Sequence, residues 1–447
     1  MDVNFWFAVG VFVVSYALIC LESLHGTHKT VVALCGATAV LVFGIVNQHE
    51  AFYSSEFGVD WNVVFLLLSM MVFVNVMKPT GIFEYVAIKC AKAGKGDPYK
   101  IMAIFAVVTA VVSAFIDNVT TVLLIAPVIV TIADRMDIDP VPFLISTAMA
   151  SNIGGTATLI GDPPNIMIAS KSGLNFTDFA YHLAPVICVI MVVYIVMIRF
   201  LFGKSLYVRP DALKKVMKLD ASSVIKDLRL VRRSLIVLGG MIFAFVFHDR
   251  INLEPATIAV FGAGILLMLS EHAERPHTVL ADIEWTSIFF FIGLFIIVGA
   301  VVKVGFIEIM AKAVVSSTGG HLFNTSMIML WFSSIASAII DNIPFVATMN
   351  PLILDMAKQI WPGVAHPELV HKTVLMPLWW SLALGACLGG NGTLIGASAN
   401  VVAAGIAEKA GRKISFLRFM LYSLPVWFMT IVIANIYVWL RYFYFAK

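Results

Sequence analysis

The stretch SAFIDN at residues 113–118 returns as SAIIDN at residues 337–342, 224 positions further along the chain. A second motif, GGxxTLIGxxxN, occupies residues 154–165 and returns at residues 389–400, a separation of 235 positions. Motifs that recur in the same order at nearly the same separation indicate an internal duplication. The sequence therefore predicts two copies of one structural unit.

The composition is that of a membrane protein. Hydrophobic residues make up 60% of the 447 positions and charged residues only 13%, whereas a soluble domain has about 25% charged residues. Uninterrupted apolar runs recur along the chain, and a helix needs about 20 such residues to cross a bilayer. A polytopic α-helical membrane protein is predicted and a soluble domain is excluded. The net charge of +3 is small and indicates no nucleic-acid partner.

Neither the cysteines nor the histidines follow a pattern with known chemistry. The five cysteines are isolated and form no CxxC pair, so the sequence predicts neither a disulfide framework nor a metal site. It contains no HExxH and no GxxxxGK[ST] motif, which argues against a metalloenzyme and against an ATPase within this chain. We expect no enzymatic activity and no cofactor. The energy for transport would come from a proton or sodium gradient, or from a separate ATPase.

Several apolar runs are too short to cross a membrane. Pairs of short runs at 101–133 and 326–357 meet at Asp-Asn and predict re-entrant hairpins. The longer runs at 142–169 and 373–407 contain glycine pairs and predict helices that break within the membrane. The predicted fold is all-α, with two inverted repeats, about ten transmembrane helices, two re-entrant hairpins and two broken helices.

The longest polar stretch, residues 203–233, carries nine basic and three acidic residues. By the positive-inside rule it is cytoplasmic, and it links a first repeat at 1–202 to a second repeat at 234–447. Each half has five crossings, an odd number, so the second half must be inverted relative to the first. Counting crossings from the linker places the N- and C-termini outside, in a multi-pass protein of the plasma (inner) membrane.

The predicted helix breaks point to a binding site. A helix that ends within the membrane leaves backbone N–H and C=O groups unpaired, and hydrocarbon cannot satisfy them. Such breaks persist only where they line a cavity, and their partial charges bind ions and polar ligands. We therefore expect the substrate site where the hairpins and broken helices of the two repeats meet.

Three acidic residues stand at these breaks. Asp117 and Asp341 occupy equivalent positions at the two hairpin tips, and a charge deep in an apolar run is costly unless it is protonated or paired, so a functional role is the default interpretation. The alternative is a carboxylate that only caps the next helix. Asp162, whose repeat counterpart is Ala397, is either a proton carrier or a plain helix cap.

The other candidates are amides, hydroxyls and glycines at the same breaks. Asparagine amides bond partners of either polarity, although a lone membrane asparagine more often joins helices. Threonine hydroxyls could reach a ligand or bond back to their own helix. The predicted substrate or ion contacts are Asp117, Asn118, Thr120, Asn152, Gly155, Thr156, Thr158, Asn165, Asp341, Asn342, Gly390, Thr393 and Asn400, and the predicted proton carriers are Asp117, Asp341 and Asp162.

These motifs resemble a known family. SAFIDNVTT at 113–121, followed by NIGGTATLIGDPPN at 152–165, is similar to the ion transporter superfamily in its arsenite-permease and P-protein branch. The resemblance implies ten or eleven spans, homodimers and elevator-type alternating access. Relatives that carry dicarboxylates have Ser-Asn-Thr at both hairpin tips, whereas both tips of this chain have Asp-Asn.

This departure bears on the substrate. A carboxylate substrate would meet two extra negative charges, and no Lys or Arg lies in the broken segments to offset them. The resemblance implies one of three activities, because members of this branch export arsenite or antimonite, exchange Na⁺ for H⁺, or conduct anions. The leading prediction is proton-coupled efflux of arsenite or antimonite. A Na⁺/H⁺ antiporter is the first alternative, followed by an anion transporter or channel.

The expected partners follow from this assignment. They are a small inorganic substrate, the lipid bilayer and a second copy of the chain in a homodimer. The sequence does not decide whether a cytoplasmic ATPase docks on residues 203–233.

Overall fold

The computed structural model describes residues 2–95, 97–203, 220–270, 275–360 and 374–445. Every regular element in these ranges is helical, which confirms the all-α class. The first half contains α1 (Val3–Cys20), α2 (Glu22–His25), α3 (Lys29–Val42), α4 (Gln48–Tyr53), α5 (Trp61–Met77), α6 (Ile82–Ala93), α7 (Pro98–Ser113), α8 (Asn118–Met136), α9 (Val141–Gly155), α10 (Pro163–Ser172) and α11 (Phe176–Phe202). The second half contains α12 (Leu228–Ile251), α13 (Pro255–Leu269), α14 (Arg275–Ala281), α15 (Trp285–Lys303), α16 (Phe306–Thr318), α17 (Leu322–Ile339), α18 (Asn342–Ile360), α19 (Met376–Gly389), α20 (Ser398–Lys409) and α21 (Phe416–Trp439).

The second half repeats the first helix by helix. α12, α13 and α15 to α21 correspond in order to α1, α3 and α5 to α11. The predicted hairpins are the pairs α7–α8 and α17–α18, and the predicted broken helices are the pairs α9–α10 and α19–α20. The duplication that the motifs indicate therefore extends to the secondary structure.

Within the described ranges, eight helices are long and apolar enough to span a membrane, and four shorter apolar helices accompany them. This confirms a polytopic membrane protein. The helix α12 begins earlier than the apolar run at 234, because the Asp227 carboxylate caps it and arginine is a good helix former in its first turns. Residues 204–219, most of the predicted linker, lie outside the described residues.

Helices of one half pack against helices of the other in a reciprocal pattern. α3 packs on α15 and α13 packs on α5, and likewise α10 packs on α18 and α20 packs on α8. Each broken helix therefore lies against the hairpin of the other half. This exchange is what a twofold relation between the halves requires, and it places the breaks at the boundary between them.

Close packing of small residues fixes each hairpin against its own broken helix. A Cβ atom on Gly154 would lie 2.2 Å from the carbonyl oxygen of Ala110, and one on Gly389 would lie 2.7 Å from that of Ser334. These glycine–carbonyl pairs are repeat counterparts. The absence of a side chain lets the helix backbones approach closely, as in other membrane helix pairs.

Candidate functional site

Four interruptions in the helices meet in the interior. The first tip, residues 114–117, joins α7 to α8, and the second tip, residues 340–341, joins α17 to α18. The first break, residues 156–162, separates α9 from α10, and the second break, residues 390–397, separates α19 from α20. Nearly all polar side chains in and beside these segments are buried. The predicted convergence of tips and breaks is therefore present in the structure.

The carboxylate of Asp162 lies at the centre of this convergence and is 0% exposed. Its Oδ1 accepts a hydrogen bond from the Asn118 amide at 3.3 Å, and both its oxygens lie 3.4 Å from the Asn342 amide nitrogen. Asn118 and Asn342 are the repeat counterparts that follow the two tips. Within the part of the chain that the structure describes, Asp162 forms no ion pair with a basic side chain.

A chain of asparagine amides continues from this carboxylate into the second half. The Asn152 amide oxygen accepts from Asn118 at 3.1 Å, and its amide nitrogen donates to Asn391 at 2.9 Å and to Asn400 at 3.1 Å. All four side chains are buried. Each amide offers both donors and acceptors, so the chain can rearrange around a polar ligand without leaving a group unpaired.

Two of the predicted contacts hold the breaks together. Asn165 donates to the carbonyl oxygens of Thr156 at 3.2 Å and Thr158 at 2.9 Å. Its counterpart Asn400 donates to those of Gly390 at 2.8 Å and Thr393 at 3.0 Å. These carbonyls are the groups that the broken helices leave unpaired. The two asparagines therefore satisfy the backbone of each break from the helix that follows it.

The predicted threonine hydroxyls donate to the backbone. Thr156 donates to the Asn152 carbonyl at 2.7 Å, Thr393 donates to the Ala338 carbonyl at 2.5 Å, and Thr158 makes the equivalent short bond to the carbonyl of Ala114. Their hydroxyl protons are therefore engaged, and only oxygen lone pairs remain for a ligand. A Cβ atom on the predicted Gly155 would lie 2.5 Å from the carbonyl oxygen of Gly161, so this glycine lets the ends of the first break approach.

The two tip carboxylates have different environments. Asp117 caps α8, accepting from the Thr120 backbone N–H at 2.9 Å and from the Thr120 hydroxyl at 2.5 Å. The capping alternative is therefore present in the geometry. Asp341 accepts from the backbone N–H of Ile343 at 3.3 Å, and in addition from the Lys29 ammonium at 2.6 Å and the Ser398 hydroxyl at 3.0 Å.

Lys29 is a functional candidate that the sequence interpretation missed. The broken segments contain no Lys or Arg, but Lys29 supplies a compensating cation to Asp341 from the start of α3. One signal was available: Lys29 is the only Asp, Glu, Lys or Arg between Glu22 and Glu50. A single charge at the edge of a long apolar run is a functional candidate by the same rule that selected the tip acids.

Two further residues of the site were also missed. Asn391 corresponds to Thr156 at a separation of 235, and Cys387 corresponds to Asn152. The Cys387 thiol lies 3.5 Å from the Asn165 amide oxygen and also contacts Asp162. Mapping every candidate onto the other repeat would have found both. Among the described residues no group of three or more His, Cys, Asp or Glu side chains is arranged to hold a metal.

Two corresponding cavities approach the breaks. One of about 390 Å³ is lined by Glu22, Lys29, Glu284 and Asp341 among others. The other, of about 290 Å³, is lined among others by Asn62, Ile166 and Leu253, the repeat counterparts of Thr286, Val401 and Lys29, which line the first. The first cavity reaches the Lys29–Asp341 pair, so this pair is open to water or ions from one side.

Comparisons with known proteins place this arrangement in a family. A family model described as a citrate transporter matches residues 16–385. An uncharacterized transporter of Mycobacterium tuberculosis, Rv2684, is 44% identical over 438 residues, which cover 98% of each chain. The P protein of Mus musculus is 32% identical over 507 residues, which cover 96% of this chain and 59% of that protein.

A solved structure shares the fold. The YdaH transporter of Alcanivorax borkumensis superimposes with a TM-score of 0.57 at 12% sequence identity, covering 98% of each chain. The similarity to the P protein confirms the resemblance stated from the tip and break motifs, and the mycobacterial relative is named a transporter. This chain is a multi-pass membrane transporter that belongs to the citrate transporter (CitMHS) family of the ion transporter superfamily.

Proposed function

We propose that this protein is a proton-coupled secondary transporter that exports a small, uncharged, hydroxyl-rich solute, with arsenite or antimonite as the substrate, by elevator-type alternating access. One observation carries the proposal. The Asp162 carboxylate is fully buried between the two halves and is held by amides from both hairpins, without a basic partner in the described ranges.

The chemistry of a buried carboxylate supports proton coupling. An ionised carboxylate in a low-dielectric interior is costly unless a cation or proton neutralises it. When ionised, Asp162 only accepts hydrogen bonds, as it does from Asn118 and Asn342. When protonated, it donates one, so an amide in contact with it must turn its oxygen toward the carboxyl group. Protonation therefore changes the contacts between the two hairpins.

The lining of the site favours an uncharged substrate. Its polar side chains include the amides of Asn118, Asn152, Asn342 and Asn391, which pair equally well with hydroxyl donors and acceptors. Arsenite at neutral pH is an uncharged trihydroxy acid that suits such a lining. The isolated cysteines do not weaken this assignment, because tight thiolate ligation would slow substrate release.

Sodium/proton antiport is the second candidate. The observation that favours it is the number of oxygen atoms in the first break, which contains the Asp162 carboxylate and the carbonyls of Thr156 and Thr158 that Asn165 contacts. Hard cations such as Na⁺ prefer oxygen ligands of this kind. In that case Na⁺ and H⁺ would compete for Asp162.

The family description names citrate, so the transport experiment must include citrate as a candidate substrate. A polycarboxylate would add negative charge beside Asp162 and Asp117, while the nearby Lys29 is already paired with Asp341. We therefore expect free citrate to be a poor substrate.

The deciding experiment uses the purified chain in proteoliposomes with an imposed pH gradient. We expect arsenite movement that depends on the gradient, and little movement of ²²Na⁺ or citrate. Asp162→Asn, which keeps the shape but cannot change charge, should abolish the dependence on the gradient. Asp139→Asn, which removes the partly exposed ion pair with Arg418, is the matched control and should retain it. Gradient-driven arsenite transport by Asp162→Asn would refute the coupling mechanism, and ²²Na⁺ transport without arsenite transport would select the antiporter.

A further inference from the structure

The two hairpin tips carry the same acid but different partners. Asp341 has the Lys29 ammonium at 2.6 Å, whereas the counterpart Asp117 accepts from the hydroxyl and backbone N–H of Thr120 and forms no ion pair within the described residues. The sequence encodes this difference. At the repeat separation of 224 positions, Lys29 corresponds to Leu253 and Thr120 corresponds to Pro344. The ion pair is therefore a feature of the second tip alone.

The ammonium of Lys29 is held at the second tip by several contacts. It donates to Asp341 at 2.6 Å and to the hydroxyl of Ser398 at 3.0 Å, and it lies 5.0 Å from the centre of the Phe290 ring. Its side chain is 17% exposed and that of Asp341 is 11% exposed. A lysine ammonium has three donors and no acceptor, and its strongest hydrogen-bond partner is a carboxylate oxygen, as in this contact with Asp341.

The charges around the pair favour this contact. The ionisable groups that face Lys29 and Asp341 from the surrounding elements are Cys20, Glu22, His28, Asp162 and Glu284. None of these groups is a lysine or an arginine, and Glu22 and Glu284 are acids, so Lys29 is the cation that these neighbours leave to pair with Asp341.

The pair joins two packing groups. α3, which begins with Lys29, packs mainly against α1 and α15. α18, which follows Asp341, packs mainly against α16 and α10, with a smaller contact to α15, and α20, which begins with Ser398, packs against α8 and α9. A movement of the hairpins relative to α3 would therefore separate Lys29 from Asp341 and leave a buried carboxylate without its cation.

We propose that Asp341 carries a transported proton in addition to Asp162, and that Lys29 is the internal competitor that displaces the proton from Asp341. This deepens the proposed function and rests on it. When the hairpins move away from α3, Asp341 takes up a proton from the side to which it is then exposed. When they return, the ammonium replaces that proton, which passes to water in the cavity lined by Glu22 and Glu284. The O–H bond of the carboxyl group breaks as an O–H bond to water forms, and no other bond changes.

The first test reads the protonation of Asp341 without any substrate. Infrared difference spectra are recorded at neutral pH on the full chain in lipid nanodiscs, between each variant and the same variant with Asp341→Asn added. We expect a carboxylate signal from Asp341 in the wild type and in Lys29→Arg, and a protonated carboxyl signal in Lys29→Gln. A protonated Asp341 in the wild type, or an ionised one in Lys29→Gln, would overturn the proposal. The wild-type spectrum decides even if Lys29→Gln does not fold.

The second test separates exchange from net transport in proteoliposomes. Without Lys29 the proton stays on Asp341, so Lys29→Gln should retain exchange of labelled for unlabelled arsenite and lose gradient-driven net transport. Lys29→Arg should retain both. Equal loss of both by Lys29→Gln, with correct folding, would contradict the competitor role. If the wild type moves neither arsenite, ²²Na⁺ nor citrate, the proposed function fails, and the infrared result still decides the state of Asp341.

Discussion

The amide nitrogen of Asn342 lies 3.4 Å from both carboxylate oxygens of Asp162, and this contact joins the second hairpin to a break in the first half of the chain. Asn118, the counterpart of Asn342, reaches the same carboxylate from the first hairpin. The second half has Ala397 in place of Asp162. The equivalent amides of Asn118 and Asn342 therefore contact a single acid, Asp162. The two halves differ at this position, although both of them contact it.

A double-mutant cycle between Asn342→Ala and Asp162→Asn will measure this contact. Each single change leaves a partner group buried with altered hydrogen bonding, whereas the double change removes the interaction itself. We expect a coupling free energy of about 1–3 kcal/mol between the two sites. It is obtained from the free energy of unfolding in mild detergent under denaturant.

The control cycle pairs Asp162→Asn with Thr131→Ala, a change at an exposed threonine on α8 whose hydroxyl bonds its own helix. These two effects should add to within about 0.5 kcal/mol. Additivity in the Asn342–Asp162 cycle as well would mean that the observed amide–carboxylate contact contributes nothing to stability.

We expect the main role of Asn165 and Asn400 to be the stabilisation of the two breaks, with contact to a ligand as a secondary role. Replacing Asn165 by alanine leaves the carbonyls of Thr156 and Thr158 without the amide that pairs them in a buried position. We expect a destabilisation of about 2–4 kcal/mol, because each unpaired buried polar group costs roughly 1–3 kcal/mol. Asn400→Ala should behave alike. Thermal unfolding followed by tryptophan fluorescence measures both, and a melting temperature equal to that of the wild type would show that water or a rearranged side chain satisfies the break.

The glycines that face a hairpin backbone should tolerate no side chain. Gly154→Ala places a methyl group 2.2 Å from the Ala110 carbonyl oxygen, so α7 and α9 must move apart. Such overpacking costs about 1–3 kcal/mol. The matched change Gly10→Ala meets nothing within 4 Å and should leave stability unchanged or slightly raised, because alanine favours a helix. The comparison uses melting temperatures in one detergent, and equal values for the two variants would contradict the close packing.

The repeated motifs were sufficient to predict the fold and the four interruptions in its helices. SAFIDN and the GGxxTLIGxxxN pattern recur because both halves break their helices at the same points. The repeated local sequence therefore identifies the helix breaks that meet in the folded protein. The prediction that the tip and break residues come together is confirmed for Asn118, Asp162 and Asn342. Their roles in transport stay predictions.

The sequence did not predict which side chains pair across long separations in the chain. Lys29 reaches Asp341 across 312 positions of sequence, and no local pattern around either residue specifies the other. Asn152 reaches Asn391 across 239 positions. Periodicity identifies which residues enter the interior, but the partner of a buried charge depends on how helices from different repeats pack. The sequence therefore predicted where the charges lie and could not predict which of them are neutralised.

The orientation of the chain gives a prediction that is independent of substrate. The basic stretch 203–233 should face the cytoplasm, and the acidic loop that contains Glu56 should face outside, because positively charged loops are retained inside during insertion. In a background with the five native cysteines replaced, a membrane-impermeant maleimide should label Glu56→Cys in intact cells and Lys226→Cys only after permeabilisation. Labelling with the opposite pattern would invert the whole topology, and with it the side of the membrane to which the cavity at Lys29 and Asp341 opens.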